Sequence, residues 1–327
     1  MKSVRKMVFW SMVLLLSLSL LVACYAAGPG TKYPTRNIQL IVPYSTGGGT
    51  DSLARLVAAE LGKTLGKTVV VVNKPGAATL IGTAEIARSR NDGYTLGITS
   101  NYDYLLTLLS GSNTQYKYQD FEYIASVNTT ANILVTKKGS LFNSLTELIN
   151  YAKKNPGKLT VSVSGQTHVA ELALLGKAAS IELTPIMFTS GGDSLNALLG
   201  GHTDLGLFDK NFSAQTTEKG CNTLGTFAGE RLAPIKEVPT MKELGYKVAT
   251  ETYRVFVAPK GTPKNIINAI AAAIKQATDT AEFKEKFSQM GEIYVYRSGK
   301  ELQQRLKSNY ETMKRVVKDN PGKFGGK

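Results

Sequence analysis

Residues 43–62 read PYSTGGGTDSLARLVAAELG, and the fold turns on how this stretch is parsed. Ahead of it, NIQLIVPY (37–44) is an unbroken apolar run of strand length. Behind the glycines, Leu53, Leu56, Val57, Leu61 and Leu65 fall on one helical stripe. A strand therefore passes into a helix through Gly47, Gly48 and Gly49. Ordered glycine gives up more backbone freedom than any other residue, so three in succession imply positive φ angles or a close approach by another group. TVVVVNKPG (68–76) is a strand again, which completes a βαβ unit. Apolar strand faces and a helical crossover imply a parallel sheet covered on both sides.

The same grammar continues along the chain. A helix is expected around Thr79 to Arg88, then a strand in DGYTLGITSN (92–101) with Asp92-Gly93 as its turn. After a less regular stretch, a second α/β unit begins. FEYIASV (121–127) and ANILVTKKG (131–139) read as strands, SLTELINYAKKNPG (144–157) as a helix capped by Ser144, LTVSVSG (159–165) as a strand and HVAELALLGKAAS (168–180) as a helix. TPIMFTSGG (184–192), the helix DSLNALLGG (193–201) and the strand DLGLFD (204–209) follow. TYRVFVAPKGTP (252–263) leads into the helix PKNIINAIAAAIKQATD (263–279) and a last helix rich in lysine and glutamate.

The chain has 327 residues, 43% hydrophobic and 20% charged, which is enough for two globular domains. Its first 24 residues are not core material. Lys2, Arg5 and Lys6 precede an apolar run from Met7 to about Val22, the pattern of a secretory signal, with an uncleaved amino-terminal anchor as the alternative. Leu21-Val22-Ala23-Cys24 resembles the bacterial lipobox, in which cleavage precedes the cysteine and its thiol receives a diacylglycerol. YAAGPGTK (25–32) then reads as a flexible tether. Several acyl chains hold a domain at a membrane far better than one chain does. With one of two cysteines consumed by lipid, Cys221 has no intramolecular partner and reads as a bystander. The formal charge of +14 loses three units with Lys2, Arg5 and Lys6, leaving +11. Lysines are scattered without long basic runs, so the excess reads as a solvated surface that attracts anions and not as a nucleic-acid interface.

The glycine stretch fails both nucleotide tests. A dinucleotide fingerprint needs G-x-G-x-x-G and an acidic residue on the second strand, which here ends in Asn73-Lys74. A phosphate loop needs a lysine in register after the glycines, and none is present. What remains is a helix amino terminus whose successive N–H groups suit a carboxylate, or a tight turn with Thr50 as a cap. SVSGQTHVAEL repeats the logic at Ser164, Gly165, Gln166, Thr167 and His168: strand, glycine, side-chain donors, helix. Two helix amino termini facing one cleft would grip an anion from both sides. His168 by itself reads more readily as a capping or core histidine than as a functional one.

These segments resemble the substrate-binding proteins of tripartite tricarboxylate transporters, the TctC or Bug family. The resemblance runs through residues 33–96, SGQTHVAEL, LLGGHTDLGLFD, GERLAPIKEVPTMKELGY and VAPKGTP, in order. It implies an α/β, two-lobed, periplasmic-binding-protein-like fold of the type II Venus-flytrap kind, each lobe a mainly parallel sheet flanked by helices. The division it implies is signal peptide 1–23, lipidated tether 24–35, lobe 1 from 36–128 and 228–327, and lobe 2 from 129–227. It also implies carboxylate binding by Tyr44, Ser45, Thr46, Gly47, Gly48, Gly49 and Thr50 in the first lobe and by Ser164 to His168 in the second. Thr189, Gly191 and Gly192 lie where the family usually has proline-tyrosine-lysine-glycine, and Phe208-Asp209 matches its phenylalanine-aspartate pair. Tyr253 stands where tryptophan is common and Val255 where glycine is. The expected ligand-binding set includes Thr189, Gly191, Asp209 and Tyr253; Asp51 is expected to be structural. Asp209 reads equally as a turn aspartate. Alternation along the strand sets Arg254 opposite Tyr253 and Val255, so it is expected on the surface, with pairing to a second ligand carboxylate as the alternative.

The expected function is capture of a small organic carboxylate outside the cytoplasm and its delivery to membrane permease subunits. The protein is expected to be a monomer, lipid-anchored through Cys24 to the bacterial cell membrane, with no enzymatic activity, cofactor, metal or nucleic-acid partner. A sensor for a membrane signalling protein would use the same cleft. A hydrolase would need a nucleophile, base and acid, and Ser164 with His168 lacks the G-x-S-x-G elbow.

Overall fold

The computed structural model describes residues 33–111 and 114–324. The expected signal segment, Cys24 and nearly all of the tether lie outside the described residues, as do the last residues of the tail. Arg36–Lys327 forms one unit.

The elements follow in chain order as β1 (Ile38–Val42), α1 (Gly49–Leu65), β2 (Val69–Asn73), α2 (Leu80–Arg88), β3 (Thr95–Ser100), α3 (Asp103–Ser110), β4 (Phe121–Thr129) and β5 (Asn132–Thr136). Next come α4 (Leu145–Lys154), β6 (Thr160–Val163), α5 (Gln166–Ala179), β7 (Thr184–Met187), α6 (Gly191–Leu199), β8 (Leu205–Asp209), α7 (Ser213–Glu218) and β9 (Asn222–Thr226). The chain closes with β10 (Arg254–Pro259), α8 (Lys264–Thr278), α9 (Ala281–Gln289), β11 (Ile293–Ser298) and α10 (Gly299–Asp319).

Two sheets result, in the orders β11-β4-β10-β3-β1-β2 and β7-β6-β8-β5-β9. The expected parallel grammar holds at one end of each sheet, where β1 is parallel to β2 and β3, and β6 is parallel to β7 and β8, so neither sheet is mainly parallel by its pairings. The other pairings are antiparallel, so each sheet is mixed. β4 still runs in the direction of β1, because two antiparallel pairings separate it from β3. This gives the two-lobed α/β architecture implied by the sequence. FEYIASV, which periodicity groups with the second unit and the resemblance assigns to residues 36–128, pairs in the first sheet. The helix α3 lies in the stretch expected to be irregular; its eight residues, DYLLTLLS, are too short and too uniformly apolar to display a period.

Local chemistry accounts for the main boundaries. α1 buries Leu53, Val57 and Leu61, and ends at Gly66 in the left-handed conformation. The expected cap of α4 is present: Ser144 Oγ accepts from Glu147 N–H at 3.2 Å, and the Glu147 carboxylate accepts from Asn143 N–H at 2.7 Å.

Two strand connections pass between the sheets, one at residues 130–131 and one within 227–253. They are paired with each other: Thr130 N–H donates to Thr252 C=O at 2.8 Å and Thr252 N–H to Thr130 C=O at 3.0 Å. α10 joins the sheets independently. Its Leu302 and Leu306 pack with Ile41, Tyr104 and Val255, while its Met313 and Val316 pack with Leu134, Val161 and Leu175.

Candidate functional site

The glycine loop leaves β1 at the carboxyl end of a parallel strand, where ligands meet sheets of this kind. Residues 45–49 are all exposed. Gly47 has φ +83°, which only glycine adopts without cost, and Gly48 is the extended residue before α1. No side chain caps that helix.

A buried carboxylate shapes the loop from behind. Asp51 Oδ2 accepts Gly47 N–H at 2.9 Å and Arg55 Nε at 3.0 Å, while its Oδ1 accepts Asn73 Nδ2 at 2.9 Å. Asn73 Nδ2 also donates to Tyr44 C=O at 3.0 Å, fixing the other end of the loop to β2. Burial pushes the Asp51 pKa up, but the hydrogen bonds from Arg55, Gly47 and Asn73 outweigh it and hold the group below the ordinary carboxylate range. Since Gly47 N–H is taken by Asp51, the donors left at the uncapped helix start are those of Gly48, Gly49 and Thr50.

The second junction is built alike. Gly165 is extended, no side chain caps α5, and Ser164 N–H donates to His168 Nδ1 at 3.2 Å. His168 Nδ1 is thus an acceptor, and burial lowers its pKa despite the nearby Asp103 and Asp209. The imidazole is a neutral, locally bonded group; its link to Ser164 runs through the backbone and not the hydroxyl. Thr167 is buried, and the Gln166 Oε1 atom is enclosed without a partner.

Asp103 connects the two junctions. It starts α3, accepts Thr167 Oγ1 at 2.6 Å on one oxygen and Tyr44 Oη at 3.2 Å on the other. Tyr44 Oη in turn accepts Ser100 N–H at 3.0 Å. Burial, then the Asp103 charge, pushes the Tyr44 phenol far up, so it remains a donor. Asp103 escaped the sequence reading because its helix did; an acid at the start of a helix was the available signal.

Two expectations, about the first residue of β10 and the residue before it, are corrected. Tyr253, expected to line the ligand, is 1% exposed and packs in the core with Tyr104 and Leu302, its hydroxyl accepting Asn309 Nδ2 at 2.9 Å. Arg254, expected on the surface, is 9% exposed. Its Nε donates to Thr50 Oγ1 at 3.4 Å and its Nη2 lies 3.6 Å from Asp209 Oδ2. Alternation did set the two residues on opposite faces. β10, however, lies between β3 and β4, and every one of its residues is buried, so neither face is open surface.

Asp209 ends β8 and accepts Thr130 Oγ1 and Asn211 N–H, each at 3.1 Å. Beside it lies a polar cluster that the sequence reading did not assemble, because its members come from distant segments. Asn128 Oδ1 accepts Arg254 N–H at 2.8 Å, Asn128 Nδ2 donates to Glu292 Oε2 at 2.9 Å, and Lys210 Nζ donates to Asn211 Oδ1 at 2.9 Å. Burial opposes the charge on Arg254, but Glu292 and Asp209 outweigh it and raise its pKa.

Thr189 and Gly191 have local partners instead. Thr189 Oγ1 donates to Asp193 at 2.6 Å, and a Cβ on Gly191 would lie 2.6 Å from the Phe212 ring. Their described contacts do not reach either helix junction. Cys221 is half-buried, and burial raises its thiol pKa. Among the described residues, no group of three or more His, Cys, Asp and Glu side chains is placed to hold a metal, and no helix is long and apolar enough to cross a membrane.

Comparison with known proteins fits this geometry. Residues 53–321 match the model of the family described as "Tripartite tricarboxylate transporter family receptor", TctC. BugT of Bordetella pertussis is 34% identical over 268 residues, covering 79% of this chain and 81% of BugT. The structure of the periplasmic binding protein BugD superposes with a TM-score of 0.76 at 28% identity, covering 88% of this chain and 98% of BugD. MatC of Rhodopseudomonas palustris, solved with bound malate, superposes with a TM-score of 0.75 at 25% identity, covering 87% of this chain and all of MatC (100%). The chain belongs to the TctC family of tripartite tricarboxylate transporter receptors.

Proposed function

We propose that this protein is an extracytoplasmic solute-binding lipoprotein that closes two lobes on a small organic carboxylate and delivers it to a tripartite tricarboxylate-type permease. One observation carries the reading. The exposed, uncapped start of α1 at residues 45–49 is joined through Tyr44, Asp103 and Thr167 to the uncapped start of α5. Two uncapped helix amino termini, linked by this hydrogen-bond relay, suit an anion through their N–H groups. The malate bound to MatC supports a carboxylate. The proposed grip is Tyr44 to Thr50 on one lobe (36–128 with 228–327), and Ser164 to His168 on the other (129–227), with Asp209 bordering the site rather than holding the acid. The protein acts as a monomer and catalyses no reaction. His168 with its Nδ1 already accepting a backbone N–H supports a binder over a hydrolase.

The test is thermal. A cognate acid at 100 times its Kd stabilises the folded protein by about 2.7 kcal/mol, which a melting scan of the purified mature chain would read as a raised Tm. Stabilisation with the acid recovered unchanged supports the reading; conversion of the acid overturns it. The lipid anchor is tested separately. Cys24→Ser is expected to leave the protein out of the membrane fraction and to abolish the acyl mass on the amino terminus, and retention in that fraction would overturn the anchor.

A further inference from the structure

We propose that Arg254 determines which ligand charge this cleft accepts, by setting a guanidinium beside the start of α1 so that formal charge and backbone N–H groups hold one ionised carboxylate together. The inference rests on the carboxylate-receptor reading and adds the source of the charge. Glycine N–H groups alone offer only the partial charge of a helix terminus, which also accommodates neutral acceptors such as amides. A guanidinium adds two parallel donors and a full charge, which an amide cannot match.

The placement supports this. Nη2 lies 3.6 Å from where a Gly49 Cβ would stand, and Nε lies 3.4 Å from Thr50 Oγ1, so the guanidinium borders the first turn of α1. Its hydrogen bonding is also incomplete. Nη1 is enclosed without an acceptor, Nε holds a long bond, and the Asp209 contact at 3.6 Å is an ion pair beyond hydrogen-bond length. A buried guanidinium with five N–H donors and so few acceptors is costly unless something else fills the shell. A carboxylate at the uncapped helix start does so. Asp209 is the internal competitor, since it presents a second carboxylate to the same Nη2.

Calorimetric titration with a series of mono-, di- and tricarboxylates of two to six carbons, and with their amides, tests the proposal. The wild-type protein is expected to bind an acid and to reject its amide. Arg254→Gln should weaken binding of that acid about 10- to 100-fold, the equivalent of a charge-assisted hydrogen bond. It should also bring acid and amide closer together, which a packing defect would not do. Arg254→Lys should retain part of the selectivity. Asp209→Asn, which keeps the Oδ1 acceptor for Thr130 and Asn211, should tighten the acid several-fold. Wild-type affinity in Arg254→Gln overturns the proposal and leaves the receptor reading intact, as does an Asp209→Asn variant weakened like Arg254→Gln. Failure of the wild-type protein to bind any of the acids overturns the receptor reading itself, and the proposal with it.

Discussion

At the scale of single residues, glycines that look alike in the sequence differ in what they tolerate. Gly47 needs its positive φ, yet a Cβ there meets nothing within 4 Å. Gly82 lies in α2, where a Cβ would be 2.6 Å from Lys74 C=O and 2.7 Å from the Pro43 Cβ. Gly47→Ala should therefore cost only left-handed strain of about 1–2 kcal/mol. Gly82→Ala forces the β1 loop off α2 and should cost about 3 kcal/mol or more, beyond the usual range for overpacking because backbone must move. Urea unfolding of the two variants checks the order, and equal losses would contradict it. The run Gly47 to Gly49 was legible as special from the sequence. That Gly47 serves the turn, through Asp51, while no side chain caps the helix start at Gly48 to Thr50 was not legible. The Asp51 bond depends on Asn73, which is two elements away along the chain.

At the scale of elements, α5 carries a second buried carboxylate. Glu171 is 0% exposed; it accepts Asn132 Nδ2 at 2.7 Å and the Thr250 hydroxyl, and so ties the helix to the start of β5 and to the returning connection between the sheets. Burial, with hydrogen bonds from Thr250 and Asn132 opposing it and the charges of Asp209 and Asp103 adding to it, pushes its pKa from 4.5 up to about 8. The folded protein thus keeps a proton that the unfolded chain releases near pH 4.5. Stability from this group falls as pH rises from about 4.5 to 8 and is constant beyond, a change of roughly 3–5 kcal/mol. Glu171→Gln should remove that dependence and be more stable than wild type at pH 8, as measured by urea unfolding across pH 5–8. A parallel pH profile in the variant would show that Glu171 is ionised in the fold. In the sequence, Glu171 is only a helical acid in HVAEL, because its burial comes from residues 39 and 79 positions away.

At the scale of the whole molecule, α10 and the paired connections bind the two sheets into one unit. A helix of 21 residues is about 32 Å long, which lets Leu306 sit in one core and Met313 in the other. Leu306→Ala and Met313→Ala should each cost about 2–5 kcal/mol, and both should shift the same single calorimetric transition. Two separated transitions, with each variant moving a different one, would overturn this coupling. The sequence announced α10 only as a last helix rich in lysine and glutamate. Nothing in its periodicity says that its two ends serve different sheets.

Sequence by itself determined the alternation of strands and helices, the parallel trio in each sheet, the two glycine-to-helix junctions and the family. These rest on periods of two and 3.6 residues and on local backbone chemistry, which act over a few residues and are written contiguously. The tertiary structure alone decided that Tyr253 is core, that Arg254 borders the first turn of α1, and that Asp103 links the two helix junctions. Strand alternation names two faces but not what covers them, and for a central strand such as β10 both are covered. Which side chain meets a ligand is then settled by neighbours that arrive from β3, β4 and β8, far away along the chain.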